Sequence, residues 1–388
     1  MDFTRNPEHD AIRAAVSELM RAFPDSYWFE HDQKHEFPWA FHNAMAAGGW
    51  LGTAIPPEYG GSGLGVTEAG IVLGEVAASG AGLNGASAIH ISMFGINPVI
   101  KHGSDAMRNE WIPRVASGEV HVCFGVSEPD LGTDIARIRT RAVRKGDRYI
   151  VDGRKTWLTK ASEAQKVLLL ARTTPIEECR RPVDGLSLFF TDLQRARVTI
   201  EPILKMGRHA VQSNDVLIEA MEVPVEDRLG EEGRGFHYLL DGLNPERILV
   251  AMEAIGLGRA ALRRGVQYAK DRVVYERPIG MNQGVQFPLA DALTRLEAAE
   301  LLTMRAAWLY DHGLPCGPEA SMAKYLAADA GYLAADRALQ THGGFGYAAE
   351  MHVERYFREA RLMRITPISE NMILSYLAEH SLGLPKSY

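Results

Sequence analysis

Cysteine is scarce in this chain: Cys123, Cys179 and Cys316 are the only three in 388 residues. They are too few and too scattered for a disulfide framework or a zinc cluster, and a reducing compartment fits them. Basic residues are in no excess, 42 Lys and Arg standing against 49 Asp and Glu for a formal net charge of −7. The sequence therefore lacks the basic stripe that nucleic-acid binding needs, and small molecules or proteins are the expected partners. No uncharged apolar run approaches the roughly 20 residues that span a bilayer. Met1 to Asp10 are polar with no apolar h-region, so a signal peptide is not expected and the reading is cytoplasmic. Internal repeats and low-complexity segments are also missing.

With 46% hydrophobic and 23% charged residues the composition is that of an ordinary globular protein. A chain this long exceeds one core, so two or three packed units are expected. Residues 1–121 read as helical: Ile12, Val16 and Met20, then Phe41 and Met45, recur three or four apart. Pro56 to Gly65 form a loop, and Thr67 to Ala78 a further helix. The glycines of that loop have no preceding strand and no lysine at the right spacing, so a plain loop is favoured over a phosphate loop.

The period changes at Val120. His121 to Val126 and Tyr149 to Val151 alternate, the latter ahead of an expected turn at Asp152-Gly153. Lys166 to Arg172 hold an apolar run suited to a strand buried on both faces. Leu186 to Phe190 and Val198 to Ile200 continue to about Val225, suggesting a compact β-barrel or sandwich over 122–232. From 233 to 388 helices return. Ile255, Leu262, Val266 and Ala269 mark one face of the first; a second is expected to begin at Pro288; a third ends at Gly343-Gly344. Long helices with short loops argue an antiparallel bundle. The fold class is α+β, mainly α: a helical N-terminal domain, a β-barrel-like middle domain and a C-terminal antiparallel four-helix bundle.

Four segments together resemble the acyl-CoA dehydrogenase family. Ser127-Glu128-Pro129-Asp130-Leu131-Gly132-Thr133-Asp134 is similar to its "T-E-P-x-x-G-S-D", and Lys155-Thr156-Trp157-Leu158-Thr159 to its "K-x-W-I-T". Gln340 to Tyr347, followed by Glu354-Arg355 and Arg358-Glu359-Ala360-Arg361, is similar to "Q-x-x-G-G-x-G-[YF]…R-D-A". Arg272 to Gln283 also fits. Each motif alone is weak; four in this order across helices, strands and helices are specific.

The resemblance implies the fold above, bound FAD, an acyl-CoA thioester substrate, an electron-transfer flavoprotein as acceptor and a homotetramer built as a dimer of dimers. It implies that Val126, Ser127, Trp157 and Thr159 line the flavin, where neutral hydroxyls and backbone N–H groups bond the ring without adding charge. Thr133 lies near flavin and CoA arm, and Phe124, Gly132, Tyr275, Ser369 and Asn371 complete the implied cofactor contacts. Arg272, Gln283, Gln340, Gly343 and Gly344 match positions that hold a neighbouring subunit's FAD; an arginine fork suits a pyrophosphate. No metal is implied. Taken residue by residue, Trp157 also reads as core, and Ser127 and Thr159 as surface strand residues. Glu276 stands where the family usually has glycine, which puts the local loop geometry in question.

Dehydrogenation of an acyl thioester needs a base for the α-proton while hydride leaves the β-carbon. Many family members carry a glutamate in "Y-E-G-T", and the matching position here is Pro367, which accepts no proton. The isovaleryl-CoA and long-chain members carry it in an "E-R" pair, and Leu243-Asn244-Pro245-Glu246-Arg247 fits with Glu246 as the base. Arg247 then matches an arginine near the CoA arm, and Asn244 replaces a frequent aspartate. Glu370 is expected to face elsewhere. His90, amid Ala88, Ile89 and Ile91, reads as a satisfied core histidine. The missing glutamate leaves two alternatives open: the same fold and flavin running oxidase, monooxygenase or desulfinase chemistry, or a CoA-ester binder without turnover.

Overall fold

The structure, a computed structural model, describes residues 6–387; residues 1–5 of the polar N-terminal stretch and Tyr388 lie outside it. Seven helices come first: α1 (Pro7–Met20), α2 (Asp25–Lys34), α3 (Trp39–Ala47), α4 (Val66–Val76), α5 (Gly82–Phe94), α6 (Asn97–His102) and α7 (Asp105–Ala116). The α1 start is written locally, since Asn6 Oδ1 accepts from Glu8 N at 2.9 Å and Pro7 occupies the first turn. Its apolar stripe is buried at Val16 and Met20, as are Phe41 and Met45 of α3. The segment Val66–His102 is long and apolar enough to cross a membrane by composition, yet 72% of its most apolar window is buried within the protein. It is not one rod. Gly80 (φ 115°) and Gly82 (φ 60°) break it between α4 and α5, in conformations that side chains bearing a Cβ rarely adopt.

The middle region is one curled sheet of seven strands, the barrel-like alternative of the two expected. They are β1 (Val122–Gly125), β2 (Arg141–Lys145), β3 (Arg148–Thr159), β4 (Lys166–Arg172), β5 (Leu186–Asp192), β6 (Val198–Pro202) and β7 (Ser213–Pro224). Their order is β1-β4-β2-β3-β7-β6, with β5 on β4. β4 is buried on both faces. The expected turn at Asp152-Gly153 is absent. Register shifts there mark a bulge within β3, where Asp152 Oδ1 accepts from Ala220 N at 2.9 Å. The turn lies instead at Gly146-Asp147, between paired Lys145 and Arg148, with Gly146 at φ 64°. Both dipeptides carry turn chemistry, and only strand pairing selects between them.

The bundle begins with α8 (Gly235–Asp271), followed by a short hairpin of β8 (Val273–Val274) and β9 (Arg277–Pro278), then α9 (Gln283–Asp311), α10 (Gly317–His342), α11 (Val353–Met363) and α12 (Glu370–His380). Pro288 is the sixth residue of α9 rather than its first turn. The carbonyl it deprives of a helical donor belongs to exposed Gly284. Small residues let α8 and α10 pack backbone to backbone: a Cβ on Gly258 would come within 2.9 Å of Gly331 Cα. Gly258 also meets Leu296, and Gly265 meets Leu289, so α9 runs antiparallel to α8. Tyr332 packs on Phe357 at 5.4 Å and Asp329 pairs with Arg364 at 3.9 Å, so α11 runs antiparallel to α10.

One buried node joins all three regions. Arg355 (2% exposed) pairs with Glu359 (0%) at 3.2 Å along α11. Arg355 also donates to the carbonyls of Gly80 and Ala81, and Glu359 Oε2 accepts from Leu83 N at 2.6 Å, so α11 clamps the break between α4 and α5. One turn along, Arg358 pairs with Asp32 of α2 at 3.0 Å and donates to the Met206 carbonyl after β6. Asp32 also accepts from Asn84 and from His209 N. Burial opposes its charge, and these donors still hold its carboxyl far below the usual range.

Removing one partner of such a pair leaves a buried charge uncompensated. Arg355→Met is therefore expected to cost about 3–5 kcal/mol in chemical denaturation. The double variant Arg355→Met with Glu359→Leu should recover most of that loss.

Candidate active site

The face of α8 turned to α5 and α10 carries the charged groups. Glu246 is half-buried, and its carboxylate makes no hydrogen bond or ion pair with any described residue. Burial is the main force on it and pushes its pKa up to about 7, against the pull of His90 and Arg247; Glu253 adds to the rise and Lys324 opposes it. A carboxylate held there is a strong base at neutral pH.

Arg247 donates Nη1 to Asn244 Oδ1 at 3.0 Å, one turn back, while its buried Nε has no partner. Buried Lys324 of α10 donates to the Ile368 carbonyl at 2.8 Å, fixing the segment that contains Pro367 beside Glu246's surroundings. Burial lowers Lys324 to about 8, with Arg247 helping and the carboxylates of Glu370 and Glu246 opposing. Glu370, three residues beyond Pro367, is spent on Arg364 at 2.6 and 3.0 Å. Ser369 caps α12, accepting from Met372 N at 3.4 Å, and Asn371 is exposed on its first turn.

The sheet brings two of the motifs together. Thr156 N donates to the Ser127 carbonyl at 3.0 Å, and Lys155 Nζ donates to the Val126 carbonyl at 2.9 Å and to Glu128 at 3.0 Å. Glu128 in turn accepts from the backbone N–H groups of Arg139 and Thr140. This buried pair was no part of the sequence reading; a lysine and a glutamate 27 residues apart signal nothing until the strands meet. Above it Val126, Ser127 and Thr159 form a neutral, half-buried wall. Trp157 is not core. A bulge between Lys155 and Leu158 turns it out at φ 62°, leaving it 57% exposed. Phe124 stands behind, its ring 5.3 Å from Phe94 of α5. Gly132 and Thr133 lie exposed in the following loop.

Arg272, Tyr275, Gln283, Gln340, Gly343 and Gly344 gather at one end of the bundle, where Tyr268 and His342 stack at 4.2 Å. All six are exposed. Arg272 has no ion pair among the described residues, and a Cβ on either Gly343 or Gly344 would meet open space. Tyr275 (φ 50°) and Glu276 (φ 64°) form the two-residue turn from β8 to β9, so Glu276 adopts the left-handed backbone that glycine favours. No hydrogen bond or ion pair among the described residues links this group to the Trp157 wall. A cavity of about 1250 Å³, lined by Leu64, Glu68, Phe94, Pro245, Trp308 and Asp311, contains none of the expected site residues.

A strong carboxylate base, an exposed indole over an uncharged hydrogen-bonding wall, and an unpaired guanidinium with open glycines fit an enzyme that holds a flavin dinucleotide. The chain belongs to the acyl-CoA dehydrogenase family: that family's N-terminal, middle and C-terminal domain profiles match residues 6–119, 123–221 and 233–382. It is thus an FAD-dependent oxidoreductase acting on the CH–CH group of acyl-CoA thioesters. It is 36% identical to an acyl-CoA dehydrogenase of Mycobacterium tuberculosis, covering 100% of this chain and 99% of that one. Among solved structures it resembles butyryl-CoA dehydrogenase from Megasphaera elsdenii (TM-score 0.93, 27% identity, 98% of this chain and 100% of that one). It also resembles a chain in the structure of the electron-transferring flavoprotein of Acidaminococcus fermentans (0.92, 30%, 98% and 100%).

A carboxyl whose folded pKa lies above its unfolded value weakens the fold once ionised. That cost is absent below the ordinary value of 4.5 and complete above about 7. Glu246→Gln is expected to stabilise the protein at pH 8 by on the order of 2 kcal/mol and to leave it unchanged at pH 4.5, read from denaturation midpoints at the two pH values.

Proposed function

We propose that Glu246 is the α-proton base of this acyl-CoA dehydrogenase, the "E-R" arrangement replacing the glutamate that Pro367 displaces. One observation carries the reading: Glu246 is a half-buried carboxylate of raised pKa with no partner of its own. The competing Glu370 has both oxygens bound to Arg364. Arg247, with its buried Nε unpaired, offers a donor for the CoA arm beside the base. Asn244 orients that guanidinium and Thr133 bounds the same arm. When bound, FAD supplies the acceptor for hydride from the substrate β-carbon. Everything else is done by the chain: Glu246 takes the α-proton onto its carboxylate, and the β-hydrogen faces the wall of Val126, Ser127, Trp157 and Thr159. Lys324 and Arg247 hold positive charge near the base, and the packed α8–α10 interface keeps water from it.

Arg272, Gln283, Gln340, Gly343 and Gly344 serve the FAD of a second copy, in a homotetramer that passes its electrons to an electron-transfer flavoprotein. Support comes from their exposure at a bundle end remote in bonding from the flavin wall, beside Tyr275 (94% exposed) and Tyr347 (88%). Such aromatics stay uncovered unless another surface meets them.

Glu246→Gln keeps size and hydrogen bonding but removes basicity. Anaerobic flavin reduction by the best acyl-CoA ester should slow by about 10²–10⁴-fold with FAD still bound. Equal rates in variant and parent would return the base to another group. In the parent the rate constant should fall as pH drops through about 7, because the base must be ionised to act. Arg272→Ala should lose FAD and tetramer together in light scattering; a monomer retaining full FAD contradicts the shared site.

A further inference from the structure

Seven residues beyond Glu246, two turns and about 10 Å along the same face of α8, stands a second glutamate. Glu253 is 2% exposed and receives His90 Nδ1 of α5 at 2.6 Å. Around them the two helices offer Ile89, Ile91, Leu249, Val250 and Ala254, all buried. Well-packed apolar residues would serve stability there as well as an ion pair or better, so packing does not account for the pair. Two further polar groups converge on it. Ser87, one turn before His90, accepts from Arg208 Nη1 at 3.4 Å; Arg208 also donates to Ser213 at 2.7 Å and has a buried Nε without a partner.

His90 spends only Nδ1 on Glu253. Its Nε2 has no hydrogen bond among the described residues, and its side chain keeps 11% exposure although it lies between two helices. Burial pulls its pKa down, but the Glu253 carboxylate, with Glu246 behind it, outweighs this and sets it above the ordinary value. A carboxylate 2.6 Å from Nδ1 favours the imidazolium, in which Nε2–H is a donor, and the Arg208 guanidinium lies nearby.

We propose that His90, held by Glu253, is the polar floor of the acyl-binding space, and that it selects short acyl-CoA esters whose far end carries a hydrogen-bond-accepting oxygen. The inference rests on Glu246 as the base, because that places the α-carbon and so the direction of the chain. A plain alkyl end would leave the Nε2 donor desolvated without a partner, the situation that discriminates most strongly between substrates. An oxygen at the tail satisfies it. The donor accepts a hydroxyl or a carboxylate, and the test separates the two.

The holoenzyme is mixed anaerobically with pentanoyl-CoA, 5-hydroxypentanoyl-CoA, glutaryl-CoA and dodecanoyl-CoA, and kcat/KM for flavin reduction is compared. The parent should favour one of the oxygen-ended esters over pentanoyl-CoA by at least about tenfold, and dodecanoyl-CoA should be poorest. His90→Leu should abolish or invert that ratio, chiefly through the KM of the oxygen-ended ester. Glu253→Gln, which keeps the volume, should erode the ratio in the same direction if His90→Leu does not fold. A parent that prefers pentanoyl-CoA or dodecanoyl-CoA, or a ratio unmoved in the variants, overturns the polar floor while leaving Glu246 as base intact. Failure of every ester to reduce the flavin overturns the Glu246 reading and this inference with it.

Discussion

The buried ion pair Arg355–Glu359 on α11 is the contact on which the geometry of the site depends. α5 must leave the break after α4 at a definite angle for His90 to face Glu253, and that break is made of glycines in conformations with little intrinsic preference for one direction. Arg355 takes the Gly80 and Ala81 carbonyls at the break, and Glu359 takes the Leu83 amide in the first turn of the new helix. Adjacent Arg358 extends the clamp to Asp32 of α2 and to the Met206 carbonyl after β6. Helices, sheet and bundle therefore share one charged node. A charged node is directional where an apolar contact is not, and it ties orientation as well as proximity.

With α5 and α8 so fixed, α8 becomes a line of graded electrostatic environments. Arg247 is half-buried and bonded to Asn244, Glu246 is half-buried with no hydrogen bond, and Glu253 is buried and paired with His90. Glu253 is bonded to His90 and serves as an anchor. Glu246 has no such bond, and burial outweighs the nearby cations and leaves it avid for a proton.

On the opposite side, the sheet supplies neutrality. Buried Lys155 is consumed by Glu128 and by the Val126 carbonyl below the surface, so the face presented outward carries hydroxyls, amides and an indole. Burial draws Lys155 down to about 8. The pair holds the strand end at Ser127 against Thr156 without adding net charge to the wall.

Much of this was legible in the amino-acid order. The alternation of helix, strand and helix periods gave the class, and the four motifs gave the family. The proline at 367 removed the usual carboxylate, and Glu246-Arg247 supplied another candidate. Local pattern failed where two local signals compete: at Gly146-Asp147 against Asp152-Gly153, and at the start of α9, where Pro288 reads as a first-turn residue but is the sixth. Strand register settled the first and the exposure of Gly284 permitted the second, and both are tertiary. The sequence by itself determined which residue types stand at the site and in what order. Only the tertiary structure decided that Glu246 has no partner while Glu370 and Glu253 do, because a carboxylate's basicity is set by what is folded against it.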